Sequence, residues 1–181
     1  MKTTYEIDPA HSSVQFSIRH LMVTNVRGSF KGVKGNVVYD PDAPTSSTVH
    51  AVIDTATIST NDNERDSHVK GADFLDVARY PTIEFNSTSV KKSGATGLEV
   101  TGDLTVHGIT KPVVLNVEEI SPETKDPWGN TRIGASAKTK IKRSDFGLKW
   151  NAPLETGGVL VGDDVKLEFE LEFVKAKAAT A

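Results

Sequence analysis

The stretch Asp164-Val165-Lys166-Leu167-Glu168-Phe169-Glu170-Leu171-Glu172-Phe173 decides the fold. Val165, Leu167, Phe169, Leu171 and Phe173 alternate with charged residues at every step. Successive side chains of a strand point to opposite faces, so this period of two describes a strand with one covered and one wet side. The same alternation runs through Val14, Phe16 and Ile18, and through Leu98, Val100, Gly102, Leu104 and Val106. Weaker versions occupy about 28–40, 46–57, 82–91, 110–121 and 130–142, which brings the expected strands to eight. Several approach ten residues, well beyond the usual length of roughly five to six.

Composition points the same way. The 181 residues include 20 Val and 19 Thr against 10 Leu, an excess of side chains branched at Cβ that suit a pleated surface. Aromatic residues make up only 7%, so a large interior would have few bulky groups to fill it. The joints carry turn chemistry, as in Asp40-Pro41-Asp42-Ala43-Pro44, Lys92-Ser93-Gly94 and Gly108 through Pro112. Short links imply antiparallel neighbours. Asn61–Tyr80 breaks the pattern: Asn61 or Asp62 can cap a short helix over about 62–70, Gly71 can stop it, and a second turn or brief helix carries Phe74 and Leu75 up to Pro81.

A two-sheet sandwich also satisfies such alternation. Length favours a closed tube, since ten-residue strands extend about 33 Å and eight strands is the number at which a barrel interior can hold one small ligand. The expected fold is therefore all-β, an extended eight-stranded antiparallel barrel with a helical insertion near 62–78. It forms one domain over 1–175, followed by a tail at 176–181 expected to fray.

Net charge is −3, with both signs spread along the chain and no basic block, which argues against nucleic acid as a partner. With no cysteine, disulfides, thiolate metal sites and thiol nucleophiles are excluded. The N-terminus has no apolar signal-peptide core, and no run reaches the roughly 18 apolar residues of a membrane-spanning helix. As written, the chain is expected in the cytoplasm; a signal sequence outside it would make the protein periplasmic or secreted.

The sequence contains no Gly-x-Ser-x-Gly elbow, phosphate loop, Gly-x-Gly-x-x-Gly or His-Glu-x-x-His. Asp8, His11 and Ser12 include the residue types of a hydrolase triad, but their spacing suits a turn before a strand. His11, His20, His50, His68 and His107 lack metal-ligand spacing, so no metal is expected. No helix start follows Gly157–Gly162 to converge amides on a phosphate, and the glutamates of the last strand read as its wet face.

Two clusters stand out. Arg65-Asp66-Ser67-His68 followed by Asp73-Phe74-Leu75-Asp76 places charges beside two large apolar groups. It is either a plug for the barrel end, with Arg65 and Asp66 tied to loop backbone, or a gate whose cation faces a ligand's polar head. Lys142 through Trp150 is either a strand end turning at Gly147, with Arg143 paired to Asp145, or part of a rim.

At these clusters the sequence resembles the YceI-like family of bacterial lipid-binding proteins. The resemblance runs from Tyr5-Glu6-Ile7-Asp8 and His11-Ser12-Ser13-Val14-Gln15-Phe16 with His20, through Gly28-Ser29-Phe30, Arg65–His68, Asp73–Val77 and Tyr80-Pro81. It continues in Gly102–Lys111, Arg143–Gly147 and Val161–Val165. It implies a lipocalin-like barrel holding a polyisoprenoid or another long-chain amphiphile in an apolar channel, with no other cofactor and possible pairing as a homodimer. Leu75 stands where the family often has a second Phe.

The leading expectation is a non-catalytic carrier for one long apolar chain, such as a polyisoprenoid, an isoprenoid quinone or a similar lipid. Parity and resemblance together assign Phe16, Ile18, Phe30, Phe74, Phe85, Leu104, Ile133, Phe146 and Trp150 to the channel or its mouth. His20, Arg65, His68 and Arg143 are assigned to the polar head. Ala135 and Ala137 share a face with Ile133 and Ile141, leaving room at mid-barrel. The alternatives are an enzyme acting on a lipid-like or small hydrophobic substrate, with His20, His68 or His107 as general base, and a structural barrel with a filled core.

Overall fold

A computed structural model describes residues 1–155 and 157–177; part of the expected tail, 178–181, lies outside the described residues. The strand segments are β1 (Thr3–Ile7), β2 (Ser13–His20), β3 (Thr24–Phe30), β4 (Lys34–Tyr39), β5 (Thr48–Asp54), β6 (Thr82–Ser93), β7 (Gly97–Val106), β8 (Ile109–Ile120), β9 (Thr124–Lys125), β10 (Thr131–Lys142) and β11 (Val161–Lys175). All pairings are antiparallel, in the order β3-β2-β11-β1-β4-β5-β6-β7-β8-β10-β9, with β10 returning to β11. That return closes an eight-stranded barrel. Closure runs along the alternating segment, from Arg132↔Val174 to Lys142↔Asp164.

Three staves are each built from two segments; in one, β9 continues the line of β8 along the edge of β10 that faces away from β11. β1 and β2 lie end to end along the same edge of β11, opposite Phe173–Lys175 and Val161–Glu170 respectively. Between them Asp8–Ser12 bulges outward, and the Ser12 hydroxyl replaces the missing ladder by accepting from the Glu172 amide (3.0 Å) and donating to its carbonyl (3.2 Å). The expected single strand at about 28–40 is divided in the same way into β3 and β4. Gly32 and Gly35, at φ 70° and 141°, turn the chain where other residues would be strained. The Thr57 hydroxyl satisfies the kinked backbone, accepting from the Lys31 amide (3.1 Å) and donating to its carbonyl (2.7 Å).

Past this kink β3 leaves the line of β5, and an isolated Ser29–Ser59 bridge joins it to the segment that follows β5. The insertion then enters as helix α1 (Asn63–Lys70), capped by Asp62, whose carboxylate accepts from the Arg65 amide at 2.9 Å. No residue of α1 is fully buried. Phe74 and Leu75 follow on turns rather than in a second helix, and Leu75 joins the core.

At the opposite end an ion network fastens three parts of the chain. The Arg132 guanidinium bonds Asp8 (2.7 Å), Asp126 (2.8 Å) and Glu172. Asp8 also accepts from the Ala10 amide and holds His11, which confirms the turn expected there. Arg132 and His11 keep the Asp8 carboxyl well below the usual carboxylate range. Asn130 and Arg132 draw Asp126 down to about 2.

Because both carboxylates titrate lower in the folded protein than in the unfolded chain, their stabilisation is present above about pH 4 and fades as pH falls toward about 2. Arg132→Met should therefore lower the melting temperature at neutral pH and flatten its acid limb, since protonation then relieves the repulsion of three unpaired carboxylates. Melting curves from pH 7 to the acid range check this, and an unchanged acid limb would remove the network from the account.

Candidate functional site

The barrel encloses a cavity of about 700 Å³ running along its axis, within the usual range for ligand pockets. Its wall is almost wholly apolar. Val165, Leu167, Phe169 and Leu171 all point inward, yet each is only half-buried because it faces open space rather than another side chain. Ala135, Ala137, Thr139 and Ile141 line the neighbouring strand β10 and leave width at mid-barrel.

Two aromatic rings lie flat against the wall because the neighbouring strand has glycine. A Cβ on Gly28 would come within 2.4 Å of Phe16 Cζ, and one on Gly102 within 2.4 Å of Phe85 Cζ. Both glycines thus set cavity width. Gly102→Ala also meets the Asn86 carbonyl at 2.6 Å and should cost on the order of 1–3 kcal/mol by overpacking, measurable by denaturant titration.

Every residue assigned to the channel from the sequence lines this cavity: Phe16, Ile18, Phe30, Phe74, Phe85, Leu104, Ile133, Phe146 and Trp150. His20, Arg65, His68 and Arg143 line it as well, at the end that carries α1. There the two clusters, far apart in sequence, meet as three rings. His68 stands edge-on to Trp150 (centroids 4.8 Å, 87°) and to Phe74 (5.1 Å, 86°), while Phe74 and Trp150 are tilted at 5.1 Å. His68 Nε2 pairs with the Asp73 carboxylate at 2.9 Å.

The two arginines assigned to the polar head are already engaged. Arg65 donates through Nε to the Thr60 hydroxyl (2.7 Å) and through Nη2 to the Thr60 carbonyl (2.9 Å). Asp66 accepts from the Thr60 amide and hydroxyl, which lowers its carboxyl pKa. These are the loop-backbone ties of the plug reading.

Arg143 does not pair with Asp145. It is buried and donates to the carbonyls of Gly162, Leu148, Trp150 and Val161, so four of its five N–H groups hold the mouth loops. Burial pulls its pKa down. Asp163, rather than an arginine, receives the start of this turn, accepting from the Ser144 amide and hydroxyl. Carbonyls on two converging segments, Leu148–Trp150 and Val161–Gly162, offer a fixed fork of acceptors that a neighbouring carboxylate cannot match.

His107, in the β7–β8 turn, lies outside the wall with its ring tilted at 56° to that of Tyr80 (centroids 4.4 Å). Asp8, His11 and Glu172 gather donor atoms within metal-like spacing, but the Arg132 guanidinium already lies against both carboxylates. Sequence reasoning missed the wall residues Val37 and Tyr39 of β4, whose parity becomes readable only once the kink at Gly32 is placed. It also missed Ser47 at the deep end, whose buried hydroxyl has no partner among the described residues.

A YceI-like domain signature matches residues 5–173. The chain belongs to the YceI-like family. A UPF0312 protein of Pseudomonas putida is 40% identical over 179 residues, covering 98% of this chain and 89% of the relative. Protein YceI of Escherichia coli O6:H1 is 44% identical over 147 residues, covering 80% and 76%.

Among solved structures, Burkholderia cenocepacia BcnA superposes with a TM-score of 0.80 at 25% identity, covering 92% of this chain and 98% of its own. A polyisoprenoid binding domain from Saccharophagus degradans, implicated in plant cell wall breakdown, superposes with a TM-score of 0.68 at 17% identity, covering 96% and 99%. At that identity the likeness speaks for the YceI-like barrel itself.

A filled core and an open channel respond differently to added volume. Ala135→Phe should cost less than about 1 kcal/mol, against roughly 1–3 kcal/mol for overpacking a closed core, while lowering uptake of a fluorescent long-chain probe severalfold. Chemical denaturation and probe titration on the same variant check both halves.

Proposed function

We propose that this YceI-like protein is a non-catalytic carrier that takes one long-chain amphiphile, a polyisoprenoid or isoprenoid quinone, out of water and into the barrel. The observation that carries this reading is the row of inward-facing apolar residues on β11 that remain half-exposed around the cavity. A folded protein gains nothing by leaving Leu167, Phe169 and Leu171 facing empty space unless something else covers them.

Burial of apolar surface contributes roughly 25 cal/mol per Å². A chain hiding about 500 Å² would gain on the order of 12 kcal/mol, from which several kcal/mol of ordering cost is subtracted. Affinity of this origin needs no strong polar contact, consistent with arginines committed to loop backbone. The ring cluster of His68, Phe74 and Trp150, with Asp73 beside it, suits the boundary between the apolar chain and its polar head. The Saccharophagus degradans protein that shares this barrel is a polyisoprenoid binding domain, which accords with the ligand class.

Native mass spectrometry after gentle purification, followed by lipid extraction, tests the reading directly. The expected result is a one-to-one adduct that extracts as a long-chain lipid. A protein consistently free of adduct that also takes up no fluorescent long-chain probe would sink it.

A further inference from the structure

The hairpin joining β2 to β3 ends in a tip that is poorly chosen for folding. The His20–Val23 turn is closed by the Val23 amide donating to the His20 carbonyl (3.1 Å), and its central residues Leu21 and Met22 have φ of 52° and 61°. Positive φ at both positions is the type I′ geometry, which favours Asn-Gly and disfavours large side chains. Leu21, Met22 and Val23 are also 40%, 54% and 72% exposed. Three consecutive apolar residues thus project into solvent on a turn that polar residues would form more easily.

The tip stands at the rim of the cavity. His20 lines the cavity, the Leu21 amide donates to the Leu160 carbonyl (2.8 Å), and Leu160 lines the cavity too. Met22 lies against Gly158, next to the exposed Val159, so two loops share one apolar cap.

The hairpin itself carries charge of one sign, while on the adjoining strand the exposed Asp163 is held by Ser144 and Asp164 by Lys140. From Pro9 to Tyr39 there is no Asp or Glu; Arg19 and Arg27 are exposed on the hairpin, and Lys31 and Lys34 farther along its stave, in a chain of net charge −3. Among the described residues none of these four forms an ion pair. Arg19 donates to the Met22 carbonyl (3.1 Å), which seats a cation directly under the tip. An apolar point backed by cations matches the interface of a membrane with anionic headgroups. The exposed Trp128, at the opposite end and next to Asp126, stands as a single apolar residue rather than a run of three.

We propose that the β2–β3 hairpin docks on the surface of an anionic phospholipid bilayer, inserting Leu21, Met22 and Val23 and holding the cavity mouth against the membrane. Docking does not require the ligand reading above. If both hold, the amphiphile can pass between bilayer and barrel without crossing water.

The test is co-sedimentation with phosphatidylglycerol-containing vesicles, compared with pure phosphatidylcholine, using the wild type and Leu21→Asn/Met22→Gly. That double variant supplies the residues the turn prefers, so its melting temperature should equal or exceed the wild type while vesicle binding falls about tenfold or more. Arg27→Gln should weaken binding to the anionic vesicles and reduce its salt dependence.

Wild type that does not sediment, or a double variant that sediments equally, overturns docking. So does a wild-type dimer in analytical ultracentrifugation that the double variant abolishes without vesicle binding, since the cap then covers a second copy. Probe uptake in vesicle-free solution separates the two proposals: uptake without sedimentation leaves the carrier and removes the docking, and sedimentation without uptake does the reverse.

Discussion

The structure depends on one ladder, the pairing of Arg132–Lys142 with Asp164–Val174. Without it the other pairings describe a long open sheet with two edges and one apolar face exposed to water. With it, that face becomes the inside of a tube, and no long edge remains for another chain to pair with. Register is equally constrained: a slip of one residue would send Leu167, Phe169 and Leu171 outward and glutamates inward. The strong alternation of β11 is therefore a specification of closure as much as of a strand.

Closure alone would not leave a cavity. The β10 face contributes Ala135 and Ala137 where larger residues would meet the opposite wall, and Gly28 and Gly102 let two phenylalanine rings lie against the strands instead of across the lumen. The barrel's two ends are held by polar contacts. One end is tied by the Arg132 network, the other by Arg143 and its four carbonyls. Polar groups hold the rims, and apolar groups are left free to face the interior.

The kinks are part of the same economy of form. Gly32 and the Thr57 hydroxyl turn β3 away from β5, and the insertion at that end brings Phe74 and His68 to Trp150. The mouth is thus assembled from a strand irregularity, a polar helix with no core of its own and a distant loop. The exposed hairpin tip belongs to the same end, where local folding preference gives way at Leu21 and Met22.

Much of this was legible in the residues alone. Period-two alternation identifies the inner face of β2, β7, β10 and β11, because side-chain direction in a strand follows from local geometry, and the channel residues named by parity and resemblance do line the cavity. Helix α1 was legible from Asp62 and Gly71, since capping is also local. The two-part staves were not, because the bulge at Asp8–Ser12 and the kink at Lys31–Val33 are held by Ser12 and Thr57, whose partners are set by neighbouring strands. Arg143 looked like a partner for Asp145, but its planar fork found four carbonyls that only the closed barrel brings together. Sequence by itself determined the strands, their faces and the apolar character of the interior. Tertiary structure decided which arginines were spent on backbone, how the mouth is assembled and how wide the cavity is, because each depends on groups distant in sequence meeting at fixed separations.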